Sequence, residues 1–207
     1  MKNIGYVFFF FFLISCKIGN KNKVVELPVV EELTKLEKLF LLPQDSAMDY
    51  YDLSNDSIVA FPDLSGYIIK SLNLSGNLLD TLVVDFLPQK IENLNLSHNH
   101  YKARVYIGEN AIPFLKELDF SYNSLSSIGI SEPLYRIILS HNNLSTITLN
   151  HKNIQYLDVS YNSNLAERVD FDPSKIDTIV RDGVADGKRL ISKMRVGIID
   201  DDWGDTR

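Results

Sequence analysis

The sequence predicts an α/β repeat solenoid, and two observations carry that prediction. First, five segments of the 207-residue chain superimpose without gaps. Ile69-Lys-Ser-Leu72-Asn-Leu74-Ser-Gly-Asn77 recurs as Ile91-Glu-Asn-Leu94-Asn-Leu96-Ser-His-Asn99, then as Leu115-Lys-Glu-Leu118-Asp-Phe120-Ser-Tyr-Asn123. It recurs again as Leu134-Tyr-Arg-Ile137-Ile-Leu139-Ser-His-Asn142 and as Ile154-Gln-Tyr-Leu157-Asp-Val159-Ser-Tyr-Asn162. A sixth copy, Met48-Asp-Tyr-Tyr51-Asp-Leu53-Ser-Asn-Asp56, ends in Asp rather than Asn, and Ile176-Asp-Thr-Ile179 opens a seventh. Second, the apolar residues at positions four and six of each copy alternate with period two, which marks a short strand with one buried face. Such a unit cannot bury its apolar face alone, so the copies stack.

Position nine falls where the chain leaves the strand. An Asn side chain there offers donors and an acceptor to backbone groups that lose their ladder partners. In a stack these residues form a column of Asp56, Asn77, Asn99, Asn123, Asn142 and Asn162.

The copies begin at residues 48, 69, 91, 115, 134, 154 and 176. That spacing of about 21 residues lies within the range of leucine-rich repeats. Over residues 46–182 the chain resembles a leucine-rich repeat protein. The resemblance implies a curved solenoid with parallel strands on the concave face and short 3₁₀ or extended segments on the convex face. Leu82, Val83, Phe86, Ile107, Ile128 and Ile147 are then expected to fill the core behind the strands.

Residues 1–15 read as a signal peptide. Lys2 precedes an apolar run from Ile4 to Ile14, too short to cross a bilayer as a helix. Leu13-Ile14-Ser15-Cys16 resembles the lipobox of bacterial lipoproteins, and Cys16 is the single cysteine. That resemblance implies cleavage before Cys16, a diacylglycerol on its sulfur and acylation of its amine, with palmitate labelling as the readout. Residues 16–28, with Lys17, Lys21 and Lys23, read as a lipidated tether suited to anionic head groups. The expected location is the bacterial cell envelope, anchored by lipid to a membrane, the outer one by preference. A single cysteine also excludes disulfides within the chain and a metal site of cysteine type.

Residues 29–45 are expected to form a helical N-terminal cap. Over 29–42, Val29, Leu33, Leu36 and Phe40 recur at helical spacing, between Pro28 and Pro43. Residues 183–207 are expected to form a C-terminal cap and an acidic tail containing Asp200, Asp201, Asp202 and Asp205.

A net charge of −6 and a pI of about 5.2 argue against a nucleic-acid partner. No phosphate-binding loop, zinc-protease motif or nucleophile elbow is present. The expectation is therefore a non-enzyme without cofactor or metal, since His98 and His141 stand two repeats apart. Positions three, five and seven are expected to point outward, with position eight at the strand edge. His98, Asp119, Tyr122, Arg136, His141, Tyr156, Asp158 and Tyr161 are the candidate partner-binding residues of the concave face. Aromatic and polar side chains on a rigid surface suit recognition of a protein, or secondarily a glycan. The rival readings are a structural envelope lipoprotein with no specific ligand and, behind it, an enzyme with an unrecognised site.

Overall fold

A computed structural model describes residues 32–149, 154–165, 168–170 and 176–184. The expected signal peptide, Cys16, the tether and the tail beyond residue 184 lie outside the described residues. Seven strands form one parallel sheet. They are β1 (Ala47–Asp52), β2 (Ile68–Asn73), β3 (Asn93–Asn95), β5 (Glu117–Asp119), β7 (Arg136–Ile138), β9 (Ile154–Asp158) and β11 (Ile176–Val180), paired in that order. Each repeat supplies one strand, and equivalent positions pair directly, as in Leu72↔Leu94 and Leu94↔Leu118. This is the parallel-strand solenoid expected of leucine-rich repeats.

The return segments go further than the sequence reading. A 3₁₀ turn forms at Val84–Phe86, but the later returns are strands: β4 (Arg104–Ile107), β6 (Ser127–Ile130), β8 (Thr146–Leu149) and β10 (Arg168–Asp170). They pair into a second, four-stranded parallel sheet in the order β10-β8-β6-β4. Val105 and Ile107, Ile128 and Ile130, and Ile147 and Leu149 alternate inward along these strands. Their side chains meet Leu94, Leu118, Ile137 and Leu157 from the first sheet in one buried core. Leu82, Val83 and Phe86 pack against that core while remaining partly exposed.

The Asn column works as a polar ladder inside the apolar stack. Asn99 Nδ2 donates to the carbonyls of Leu96 and Ser97 in its own repeat (both 3.1 Å) and of Leu74 in the one before (3.0 Å). Its Oδ1 accepts from Leu79 N–H at 3.0 Å. Asn77, Asn123, Asn142 and Asn162 repeat the pattern. Asp56 has no earlier strand carbonyl to meet. Its two carboxylate oxygens accept instead from Lys35 N–H (2.9 Å) and Leu36 N–H (2.8 Å). An acceptor-only side chain therefore stands at the one step of the column where the neighbours are donors.

Those donors open the helix α1 (Lys35–Phe40). It is shorter than the 29–42 expected, because Thr34 and Glu37 form a reciprocal capping box that starts it at Lys35. Its orientation also differs. Leu36 packs against the core as expected and Leu39 enters it, whereas Leu33 and Phe40, expected to face inward, are about half exposed; Val29 lies outside the described residues. No helix among the described residues is long and apolar enough to cross a membrane.

Candidate recognition surface

The outward side chains of the seven-stranded sheet lie in rows fixed by strand register. Position three gives Tyr50, Ser71, Asn93, Glu117, Arg136, Tyr156 and Thr178. Position five gives Asp52, Asn73, Asn95, Asp119, Ile138, Asp158 and Val180. A depression of about 300 Å³ opens along these rows, lined by Tyr50, Ser71, Asn73, Asn93, Asn95, Glu117, Asp119, Arg136 and Ile138. Small polar side chains make its floor. Exposed Tyr50 rises at one end, and at the other the Arg136 guanidinium lies 4.0 Å from the centre of the Tyr156 ring. That cation–π contact holds a long side chain in one place.

Position five also has a backbone task. Asp52, Asn73, Asn95, Asp119 and Asp158 each use an oxygen to accept the N–H of the residue two further on, at 2.8–3.1 Å. This Asx turn ends the strand. Val180 at the last strand and Ile138 within the row break the rule, and Ile138 leaves Ser140 N–H without that acceptor. The serines at position seven were expected to point outward. Ser54, Ser97, Ser121, Ser140 and Ser160 are instead buried, because the turn has already carried the chain off the strand's alternation.

Position eight has a different character. Asn55, Gly76, His98, Tyr122, His141, Tyr161 and Gly183 all have φ between 53° and 66°, a left-handed conformation that costs an ordinary residue about 1–2 kcal/mol. The same backbone angle in each repeat projects the side chains in parallel, and four rings stack. His98 and Tyr122 centroids are 4.2 Å apart, Tyr122 and His141 4.1 Å, and His141 and Tyr161 4.3 Å, with planes within 15°. Each stack contributes about 0.5–1.5 kcal/mol, so the three stacks offset part of the strain of the four ring residues. At the far end Tyr161 lies over Gly183, where a Cβ would stand 2.9 Å from Tyr161 Cδ1.

The eight candidate residues therefore divide. Asp119 and Arg136 line the depression, Tyr156 supports its wall, and Asp158 follows Ile138 in the same row. His98, Tyr122, His141 and Tyr161 form a separate column whose ring faces are largely spent on one another. Tyr50, Ser71, Asn73, Asn93, Asn95, Glu117 and Ile138 occupy the same outward rows that the repeat predicts, but are not among the eight candidates. No cluster of His, Cys, Asp or Glu fit for a metal ion occurs among the described residues.

Charge is arranged along position two. Lys70 pairs with Asp49 at 2.7 Å and Lys116 with Glu92 at 2.5 Å. At the first repeat Lys35 meets Asp52 at 2.8 Å and holds its carboxyl down at about 2.

Residues 114–135 match the family model described as Leucine Rich Repeat. A curated relative is R380 of Acanthamoeba polyphaga mimivirus, a protein whose name assigns it to the leucine-rich repeats. It is 29% identical over 103 residues, which is 48% of this chain and 24% of the relative. The chain thus spans about a quarter of that relative's length. No solved structure matches. Together with the parallel solenoid, these matches support a leucine-rich repeat protein.

Proposed function

We propose that this leucine-rich repeat chain is a non-catalytic binding module that recognises a protein through the outward face of its seven-stranded sheet. The observation that carries the reading is Ile138. Four of the five copies from Asn73 to Asp158 place a strand-ending Asn or Asp at position five. The exception stands in the depression, between Asp119 and Asp158 and beside Arg136. A local rule broken without a structural gain marks a site kept for another purpose. Here that purpose is an apolar contact ringed by hydrogen-bonding groups, which is how protein interfaces are built. Stacked strands, the Asn ladder and the ring column hold the face rigid, so little ordering cost is left for binding.

The module is lipid-anchored at the bacterial cell envelope through Cys16. The support is the single cysteine, seated after Leu13-Ile14-Ser15 at the end of a short apolar run.

Photo-cross-linking on intact cells tests the binding face. A photoreactive side chain at Tyr50 or Asn93 should give a discrete protein adduct, and one at Thr148 on the four-stranded sheet should not. Equal adducts from both sheets, or none from the first, would refute the assignment.

A further inference from the structure

Leu36 and Leu39 seat the helix α1 on the core, while the apolar side chains at its two ends face solvent. Leu39 is fully buried, while Leu33 is 47% exposed, Phe40 51%, Leu41 70% and Leu42 41%. Four large apolar side chains thus meet solvent within ten residues. They are not waiting for a closer fit to the repeats. The helix is already seated by Leu39, by the Asp56 carboxylate on its first two N–H groups and by the Tyr67 hydroxyl on the Leu39 carbonyl.

The exposed apolar area is on the order of 400 Å², taking about 200 Å² for each side chain when fully open. That is enough to mark an interaction site on a soluble domain. It is about half of what each partner of a stable protein pair buries. A surface held close by a tether needs less affinity than a free one, because the local concentration is high. Sixteen residues separate Cys16 from Leu33, a reach of at most about 55 Å.

We infer that Leu33, Phe40, Leu41 and Leu42 form a second membrane contact, which lays the N-terminal end of the solenoid against the lipid surface that holds the Cys16 anchor. This rests on the lipid-anchor reading and goes beyond it, since an anchor alone leaves the domain free to tumble. With α1 at the bilayer, the first repeat lies nearest the lipid, and the depression starts there at Tyr50 and runs along the stack to Ile138. The membrane contact then sets the orientation in which a partner meets the recognition face.

The test uses the full lipidated chain in vesicles of phosphatidylcholine with a minority of phosphatidylglycerol. Trp203, the only Trp, is replaced by Phe, and Leu41→Trp supplies the reporter. Its emission should shift to the blue on reconstitution and be quenched by lipids brominated along the acyl chains. Adding Leu33→Glu and Phe40→Glu should reduce that quenching several-fold while palmitate labelling and the far-ultraviolet spectrum stay unchanged. Palmitate labelling with an unshifted, unquenched Trp overturns the docking inference and leaves the anchor standing. A blue shift that needs high protein concentration and no vesicles assigns the stripe to a second copy of the chain and overturns it too. Absence of the label overturns both.

Discussion

Exchanging the acidic and amide members of the polar ladder should destabilise the protein in both directions. In Asn99→Asp, the two N–H donors aimed at the Leu74, Leu96 and Ser97 carbonyls, at 3.0–3.1 Å, are lost. An anion then faces three carbonyl oxygens at a site that is 6% exposed. Leaving a buried polar group unpaired costs about 1–3 kcal/mol. The carbonyls of Leu74 and Leu96 are both affected, so the loss is about 2–6 kcal/mol at neutral pH. The misplaced carboxyl has its pKa raised by burial and by the carbonyls. Its neutral form is tolerated below the unfolded value of about 4, and stability falls as pH rises through the folded value. In Asp56→Asn, one oxygen must serve where two now accept from Lys35 and Leu36, and an amide N–H faces an N–H. That variant should lose about 1–2 kcal/mol. Urea unfolding of both variants at pH values of about 4 and 7 reads these effects. An Asn99→Asp protein within about 0.5 kcal/mol of the parent at neutral pH, or a stabilised Asp56→Asn, would refute the donor–acceptor logic.

Three further outcomes follow from the same geometry. Tyr122→Gly should be more stable than Tyr122→Ala, because both lose two ring stacks but only glycine relieves the φ of 53°; thermal unfolding giving the reverse order would contradict this. Gly183→Ala should cost about 1–2 kcal/mol from its φ of 64° and its contact with Tyr161, and Tyr161→Ala should recover only the contact's share in a double-mutant cycle. Asp52 titrates below its ordinary range because of Lys35, so the pair adds stability above pH about 4 that is lost as pH falls toward about 2. With both partners more than a third exposed the effect is small, and Lys35→Met should flatten that acid limb.

The repeat was legible because its apolar positions and its Asn report directly on burial and on the ladder. Asp56 was legible as a departure, but its reason needed Lys35 and Leu36 to be placed against it. The second sheet was partly legible: Val105 and Ile107, Ile128 and Ile130, and Ile147 and Leu149 alternate, yet each run is short enough to read as an extended return. The helix start was written in Thr34-Lys-Leu-Glu37, a capping box that the longer apolar pattern from Val29 obscured. Which residues of α1 turn inward was only partly legible, since Leu36 does pack on the core as its spacing suggests, but tertiary contacts buried Leu39 beside it in place of Leu33 and Phe40. The aromatic row at position eight was visible as a pattern. Its left-handed backbone was not, because Tyr rarely adopts that conformation, and without it the rings read as open anchors rather than as a stack.

The depression itself depends on Ile138 standing where an Asx residue ends the strand in neighbouring copies, and that one position separates recognition from architecture. Asn at 138 restores an acceptor for Ser140 N–H and should stabilise the fold by about 0.5–1 kcal/mol, while Ser71→Trp and Asn93→Trp fill the floor without touching the core. The direct measurement is the affinity of each variant for the partner captured at Tyr50 or Asn93, beside its unfolding free energy. Partner affinity should be at least about tenfold weaker, some 1.4 kcal/mol, in Ile138→Asn and in the filled variant, with Ile138→Asn at least as stable as the parent. Unchanged affinity in both, with stability lost in Ile138→Asn, would show that Ile138 serves the fold and that the partner binds elsewhere.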